Sequence, residues 1–194
     1  MKGNISTRAG DKGTTGIGDG NRVSKSNIRI HCLGDLDEAN SFLGLLRCKL
    51  QSGHDWEEPL KQIQTEMMNL MSHVATPTSS KKKPSVPLPE QASLPMEVWM
   101  EEIEASLAST TEYFLLPGGT EISALCHVVR TVVRRAERNL VALTEEDPVH
   151  PSILQFINRL SDLMFKLARQ EIHLSGVTED RWRLFKTDGK SNAG

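Results

Sequence analysis

Apolar residues in this chain recur in steps of three and four, segment after segment, and nowhere sustain the alternation of a half-buried strand. From Asp35 onward Leu36, Ala39, Leu43, Leu46 and Leu50 keep that spacing, with Asp35 and Glu38 placed like an N-terminal capping pair. Leu60, Ile63, Met67, Leu70 and Val74 form a second stripe, which stops before Pro77. A third begins near Pro95, a residue suited to a first helical turn, and carries Trp99, Ile103 and Leu107. The longest runs from a cap at Thr120 through Ile122, Leu125, Val129, Val132, Ala136, Leu140 and Leu143. The last starts at Pro151 and carries Ile153, Ile157, Leu160, Met164 and Leu167. Five amphipathic helices without a convincing strand predict an all-α fold, a five-helix bundle.

With 194 residues, the chain is read as one domain. Three stretches escape the helical pattern. They are a Gly-rich N-terminal loop (1–30), a Pro/Lys/Ser-rich connection expected to be exposed and mobile (79–95), and a polar tail (177–194). A net charge of −2 lacks the basic excess of a general nucleic-acid binder. No apolar run approaches the ~18 residues of a membrane span, so neither nucleic acid nor membrane is expected as a partner. The opening MKGNISTRAG has no apolar signal core and is too short and glycine-rich for an amphipathic transit peptide. Cys32, Cys48 and Cys126 are an odd number without close spacing, which argues for a reducing compartment. The six histidines show no zinc-ligand spacing. The expected location is the cytoplasm, or the mitochondrial matrix where a transit peptide has been removed.

Five constellations have the residue types to carry chemistry. In Thr7–Gly20, TRAGDKGTTGIGDG, five glycines, three threonines, Arg8 and Lys12 crowd together. Glycines let backbone N–H groups turn toward an anion, but a disordered terminus has the same composition, and the spacing fits neither dinucleotide nor Walker loops. In RTVVRRAER, Arg130, Arg134, Arg135 and Arg138 accompany Glu137. His127, Arg130, Arg134 and Glu137 share one helical stripe, with Arg138 alongside and Arg135 off it. That stripe is either a solvated face or a clamp for a polyphosphate. Asn158, Asp162 and Arg169 form a polar stripe on the last helix. Asp37 is either a helix-start acid or a partner for the arginine stripe, and Tyr113 and Phe114 precede a Pro-Gly-Gly turn.

Together TRAGDKGTTG, RVSK, GDLDEANSFLG, VATP, FLLPGGT, HVVRTVVRRAER and FINRLSDLMFKLAR resemble the ATP:cob(I)alamin adenosyltransferases of the PduO type, in the family's order from Thr7 to about Arg169. The resemblance implies a homotrimer with active sites between adjacent subunits. Cobalt of cob(I)alamin attacks C5′ of ATP, and triphosphate leaves. Thr7, Arg8, Ala9, Gly10, Lys12, Thr15, Gly16 and Lys25 would line ATP. Arg134, Arg135, Glu137, Arg138 and Asn158 would complete that site, with Mg²⁺ on the phosphates. Asp37 would pair with Arg130 across the interface and help seat the corrinoid. Phe114 would pack where the lower axial ligand otherwise sits, leaving a cobalt that is easier to reduce. A reductase and an adenosylcobalamin-dependent client enzyme are the further partners implied. Ala9 departs from the polar residue the family often carries. The alternative to an enzyme is a non-catalytic carrier or regulator that binds nucleotide or finished cofactor.

Overall fold

Asn27 starts the first helix, because its side-chain oxygen accepts the Arg29 backbone N–H at 2.9 Å. In the computed structural model, which describes residues 8–107 and 113–184, that helix, α1, runs Ile28–Lys49. Asp35 and Glu38 therefore lie two turns inside it, and the capping role expected of them is incorrect. The buried stripe opens with Arg29 and Cys32 before it reaches Leu36, and a charged first member conceals it from an apolar count. Arg29 stays buried because its hydrogen bonds are made. Nη1 donates to the Val74 carbonyl at 2.5 Å, and Nη2 meets the Asp147 carboxylate at 2.5 Å.

The other helices follow their predicted stripes. They are α2 (Glu57–Val74), α3 (Leu94–Ser106), α4 (Glu121–Glu146) and α5 (Pro151–Leu174). Thr120 caps α4 as expected, its hydroxyl accepting from the Ser123 N–H at 3.0 Å. Leu43, Met67, Ile103, Leu140 and Leu160 are fully buried in one core. Trp99 and Leu107, expected on the α3 stripe, only edge that core, and Met96 and Met100 take the buried positions.

Polar links between the helices give their directions. Arg47 meets Glu57 at 2.5 Å where α1 turns into α2. Lys49 meets Glu121 at 2.6 Å, whereas Arg29 meets Asp147 at the other end, so α1 and α4 are antiparallel. Glu137 with Asn158, and Thr120 with Glu171, make α4 and α5 antiparallel. Arg159–Glu97 and Lys166–Glu104 lay α3 parallel to α5.

Two small antiparallel ribbons supplement the bundle. Strands β1 (Thr14–Gly16) and β2 (Arg22–Ser24) pair with Thr15 opposite Val23. Strands β3 (Tyr113–Leu115) and β4 (Arg181–Leu184) pair with Phe114 opposite Arg183. Three or four residues are too few to show an alternation, which is why no strand was expected. Residues 181–184 of the predicted polar tail thus form a strand. The 79–95 connection is fixed at Val86, whose carbonyl bonds to His73 Nε2 at 3.0 Å, and at Leu88, which packs on the core. Among the described residues no helix is long and apolar enough to cross a membrane.

Candidate active site

The Gly-rich segment is a built loop in its described part, residues 8–25. Arg22 organises it from β2: its Nη2 donates to the carbonyls of Ala9 and Thr14 at 2.7 and 2.8 Å, and to the Thr14 hydroxyl at 2.9 Å. Backbone bonds from Gly13 N to Gly10 O (3.1 Å) and from Lys25 N to Gly13 O (2.9 Å) close the curve. A Cβ placed on Gly10 would lie 3.2 Å from Lys25 Nζ, so the ammonium rests over that glycine. Arg8 holds a φ of 56°, a left-handed conformation costly for arginine and typical of binding loops. Arg8 and Lys12 are exposed, and Thr15 is half-buried beside exposed Gly16. Thr7 lies outside the described residues. The loop docks on the C-terminal end of α2 through Gly18, whose N–H donates to the Ala75 carbonyl at 2.8 Å. A Cβ there would fall 2.3 Å from Thr76 Oγ1.

A cleft of ≈ 590 Å³ lies between α3, α4 and α5. Of its three acids, Glu97, Glu101 and Asp162, the first and last face Arg159 at 2.8 and 3.6 Å. Arg130 and Arg134 also line it, and neither has a carboxylate partner among the described residues. Burial, reinforced by the neighbouring Arg134 charge, lowers the Arg130 pKa from its ordinary value. A pair of adjacent guanidiniums, neither in a salt bridge among the described residues, is the state that an incoming anion relieves.

The remaining predicted residues divide. Glu137 accepts from Asn158 Nδ2 at 3.0 Å, and Asn158 Oδ1 accepts from Arg159 at 2.8 Å, which ties these residues to the rim of the cleft. Arg138 is exposed, and its Nη1 donates to the Arg134 carbonyl at 3.0 Å. Arg135 points to the opposite side of α4, where it pairs with Asp35 at 2.9 Å and with Glu38. Asp37 is exposed on α1, and no hydrogen bond or ion pair within the chain engages it among the described residues. The structure does not bring Asp37 to Arg130 within one chain, nor the Gly-rich loop to Arg134.

Phe114 stands at the far end of the molecule from that loop. It is 41% exposed, an unusual position for a large apolar ring, with Trp182 edge-on at 6.0 Å. The ribbon that presents it is fastened by the Leu116 N–H to the Asp180 carbonyl (2.8 Å) and by Arg169–Glu179 (2.8 Å).

Sequence reasoning missed four contributors. Arg22 lies inside RVSK, where only Lys25 was selected, and its hydrogen bonds depend on hairpin register. Arg159 and Lys166 belong to the polar stripe read for Asn158 and Asp162, one turn to either side. Trp182 lies in a segment read as a polar tail, where the four residues RWRL are too few for an alternation to mark a strand.

The family model described as cobalamin adenosyltransferase matches residues 5–171. A cobalamin adenosyltransferase from Cupriavidus metallidurans is 40% identical over 92% of this chain and 94% of its own. The human corrinoid adenosyltransferase is 34% identical over 90% of this chain and 71% of its own. A variant PduO-type ATP:corrinoid adenosyltransferase from Lactobacillus reuteri, solved in complex with cobalamin and ATP, superposes with a TM-score of 0.85 at 31% identity. That likeness covers 92% of this chain and 99% of the other.

Proposed function

The chain belongs to the cobalamin adenosyltransferase family, and we propose how its residues divide the transfer of the 5′-deoxyadenosyl group from ATP to cob(I)alamin. The reaction forms a cobalt–carbon bond, breaks the C5′–O bond of ATP and releases triphosphate. Cob(I)alamin brings the nucleophile, so the protein has two tasks. It aligns cobalt with C5′, and it stabilises the charge that grows on the departing triphosphate. The observation that carries this reading is the pair Arg130 and Arg134, set in one cleft without a carboxylate partner among the described residues.

ATP is held by the Gly-rich loop, from Thr7 and Arg8 through Ala9, Gly10, Lys12, Thr15 and Gly16 to Lys25. Ala9 contributes only backbone there. Its carbonyl is already taken by Arg22, which keeps the loop curved. Arg134, Arg138 and the Glu137–Asn158 pair complete the nucleotide site. Arg135, engaged with Asp35, acts by keeping α4 seated on α1. Mg²⁺ keeps several waters and binds through substrate phosphates and one or two carboxylates, a demand that Glu137 beside Asn158 can meet. An ion carried on the triphosphate, with Glu137 as the nearby acid, fits those donors and would screen phosphate charge.

The site is shared between subunits of a homotrimer. The loop docks where α1 begins and α2 ends, whereas Phe114 precedes the start of α4. The 26 residues of α4 span roughly 39 Å at ~1.5 Å per residue. ATP on that loop and a corrinoid against Phe114 of the same chain could not meet, but loop and helix of adjacent copies can. Exposed Asp37, with no partner among the described residues, and Arg130, lacking a carboxylate partner among them, supply an ion pair for that interface. Phe114 occupies the lower face of the corrin and excludes an axial ligand, which eases reduction of cob(II)alamin by a reductase. The product passes to an adenosylcobalamin-dependent client enzyme in the cytoplasm or mitochondrial matrix. We read the whole chain as one adenosyltransferase domain.

An anaerobic assay of purified protein with ATP, Mg²⁺ and chemically reduced cob(I)alamin tests this. The expected result is adenosylcobalamin and triphosphate in equal amounts. ATP binding without a cobalt–carbon bond would favour the carrier reading.

A further inference from the structure

We propose that His127 is a positioning residue for Arg130, holding its guanidinium in the cleft by accepting the Nε–H while leaving the positive charge unspent. The inference rests on the reading that Arg130, through its pairing with Asp37 of an adjacent copy, helps seat the corrinoid. His127 lies one turn before Arg130 on the same face of α4, the i to i+3 relation that brings two helical side chains together. Arg130 Nε lies 3.3 Å from His127 Nδ1. This is a long bond in the free chain, of the kind that tightens when a site fills.

The imidazole is itself fixed. It is only 8% exposed and packs edge-on against Phe165 of α5, with centroids 6.1 Å apart. Accepting at Nδ1 leaves the proton on Nε2. His127 and Ser123 line one small cavity of ≈ 20 Å³, in which the buried Ser123 hydroxyl has no hydrogen-bond partner among the described residues. Burial and the adjacent Arg130 charge hold the ring neutral, which keeps the Nδ1 lone pair available at physiological pH.

A neutral acceptor is the informative choice. Two other cations of the cleft are aimed by acids: Arg159 by Glu97 and Asp162, and Lys166 by Glu104. A carboxylate at position 127 would aim Arg130 equally well but would compete with Asp37 of the adjacent copy for its charge. An imidazole fixes direction without that competition.

The test is steady-state kinetics of the intact oligomer with cob(I)alamin and ATP varied separately. His127→Leu removes the acceptor and keeps an apolar side chain of similar bulk. His127→Asn restores an oxygen near the Nδ1 position. His127→Leu should raise KM for cob(I)alamin about tenfold, the effect of one lost hydrogen bond to a charged group. KM for ATP and kcat should stay within about twofold, and His127→Asn should recover most of the loss. The double variant with Arg130→Ala should be no worse than Arg130→Ala alone, because the two act as one unit. An unchanged corrinoid KM in His127→Leu, additive losses, or failure of His127→Asn at an undiminished Tm would overturn the inference. If Arg130→Ala raises the corrinoid KM and His127→Leu does not, only the positioning role fails. If Arg130→Ala leaves it unchanged, the reading of Arg130 fails as well.

Discussion

Arg135 and Asp35 join α4 to α1. The Arg135 Nε donates to Asp35 Oδ1 at 2.9 Å, and Asp35 Oδ2 takes the Asn139 amide at 2.6 Å. Arg134, one residue earlier, faces the cleft instead. Neighbours in sequence therefore have separate tasks, because a step of one residue turns a helix by about 100°. Arg134→Ala should lower kcat/KM by about 100-fold or more, as expected for a lost donor at developing charge, with little change in Tm. Arg135→Ala should cost about 0.5–1 kcal/mol of stability, a modest value because its side chain is 43% exposed, and should spare most activity. Kinetics beside denaturant melts would check both, and the reverse pattern would exchange their roles.

Phe114 combines high exposure with a fastened backbone, so its ring is presented without being part of the core. Phe114→Ala should unfold at nearly the wild-type temperature. Its activity should fall steeply when the corrinoid is supplied as cob(II)alamin with a reductant, and much less with cob(I)alamin. Equal losses in the two assays would contradict exclusion of the lower ligand.

Gly18 is where the nucleotide loop meets α2, and the space beside it is already filled. Gly18→Ala must displace Thr76 or the loop itself, a strain of about 1–3 kcal/mol. The loop is the softer element, so KM for ATP should rise roughly tenfold or more while KM for cob(I)alamin stays near wild type. Hydrogen exchange across residues 9–25 should show the same loosening. An unaffected ATP KM would detach that docking from function.

His127 also predicts a pH dependence of stability. Desolvation first, and then the Arg130 charge, lower its pKa from the usual 6.5 to about 4 in the fold. The unfolded chain binds the proton that the folded ring refuses, so this contribution is intact above pH 6.5 and is lost as pH falls toward 4. At most about 3 kcal/mol is involved. Three other charged groups, Arg169, Glu179 and Asp180, line the small cavity beside the ring, and the first two are paired with each other. Urea melts at pH 7 and pH 4.5 should show a smaller difference in His127→Asn than in wild type, and equal differences would place the ring in solvent.

The helices were legible because each buries a stripe of uncharged residues wide enough to read, as Leu60 to Val74 does in α2. The start of α1 was not, since its first buried residue is Arg29, whose partners Val74 and Asp147 are distant in sequence. Short pairings such as Phe114 with Arg183 depend on a partner 69 residues away and leave no local periodicity. In the site, residue types and spacing picked out Arg130 and Arg134. They could not separate Arg135 from Arg134 by partner, nor reveal Arg22 beneath Ala9, because both facts depend on tertiary register.

The most direct test of a site built by two copies is complementation between two inactive variants. Lys25→Ala disables the loop, and Arg134→Ala disables the cleft. Chains of both kinds, unfolded and reassembled together in equal amounts, should recover about a quarter of wild-type activity, the share of interfaces that pair an intact loop with an intact helix in a random closed ring. Each variant reassembled alone should remain inactive. If the mixture stays as inactive as its components while forming oligomers of wild-type size, loop and arginines act within a single chain, and the shared-site account is wrong.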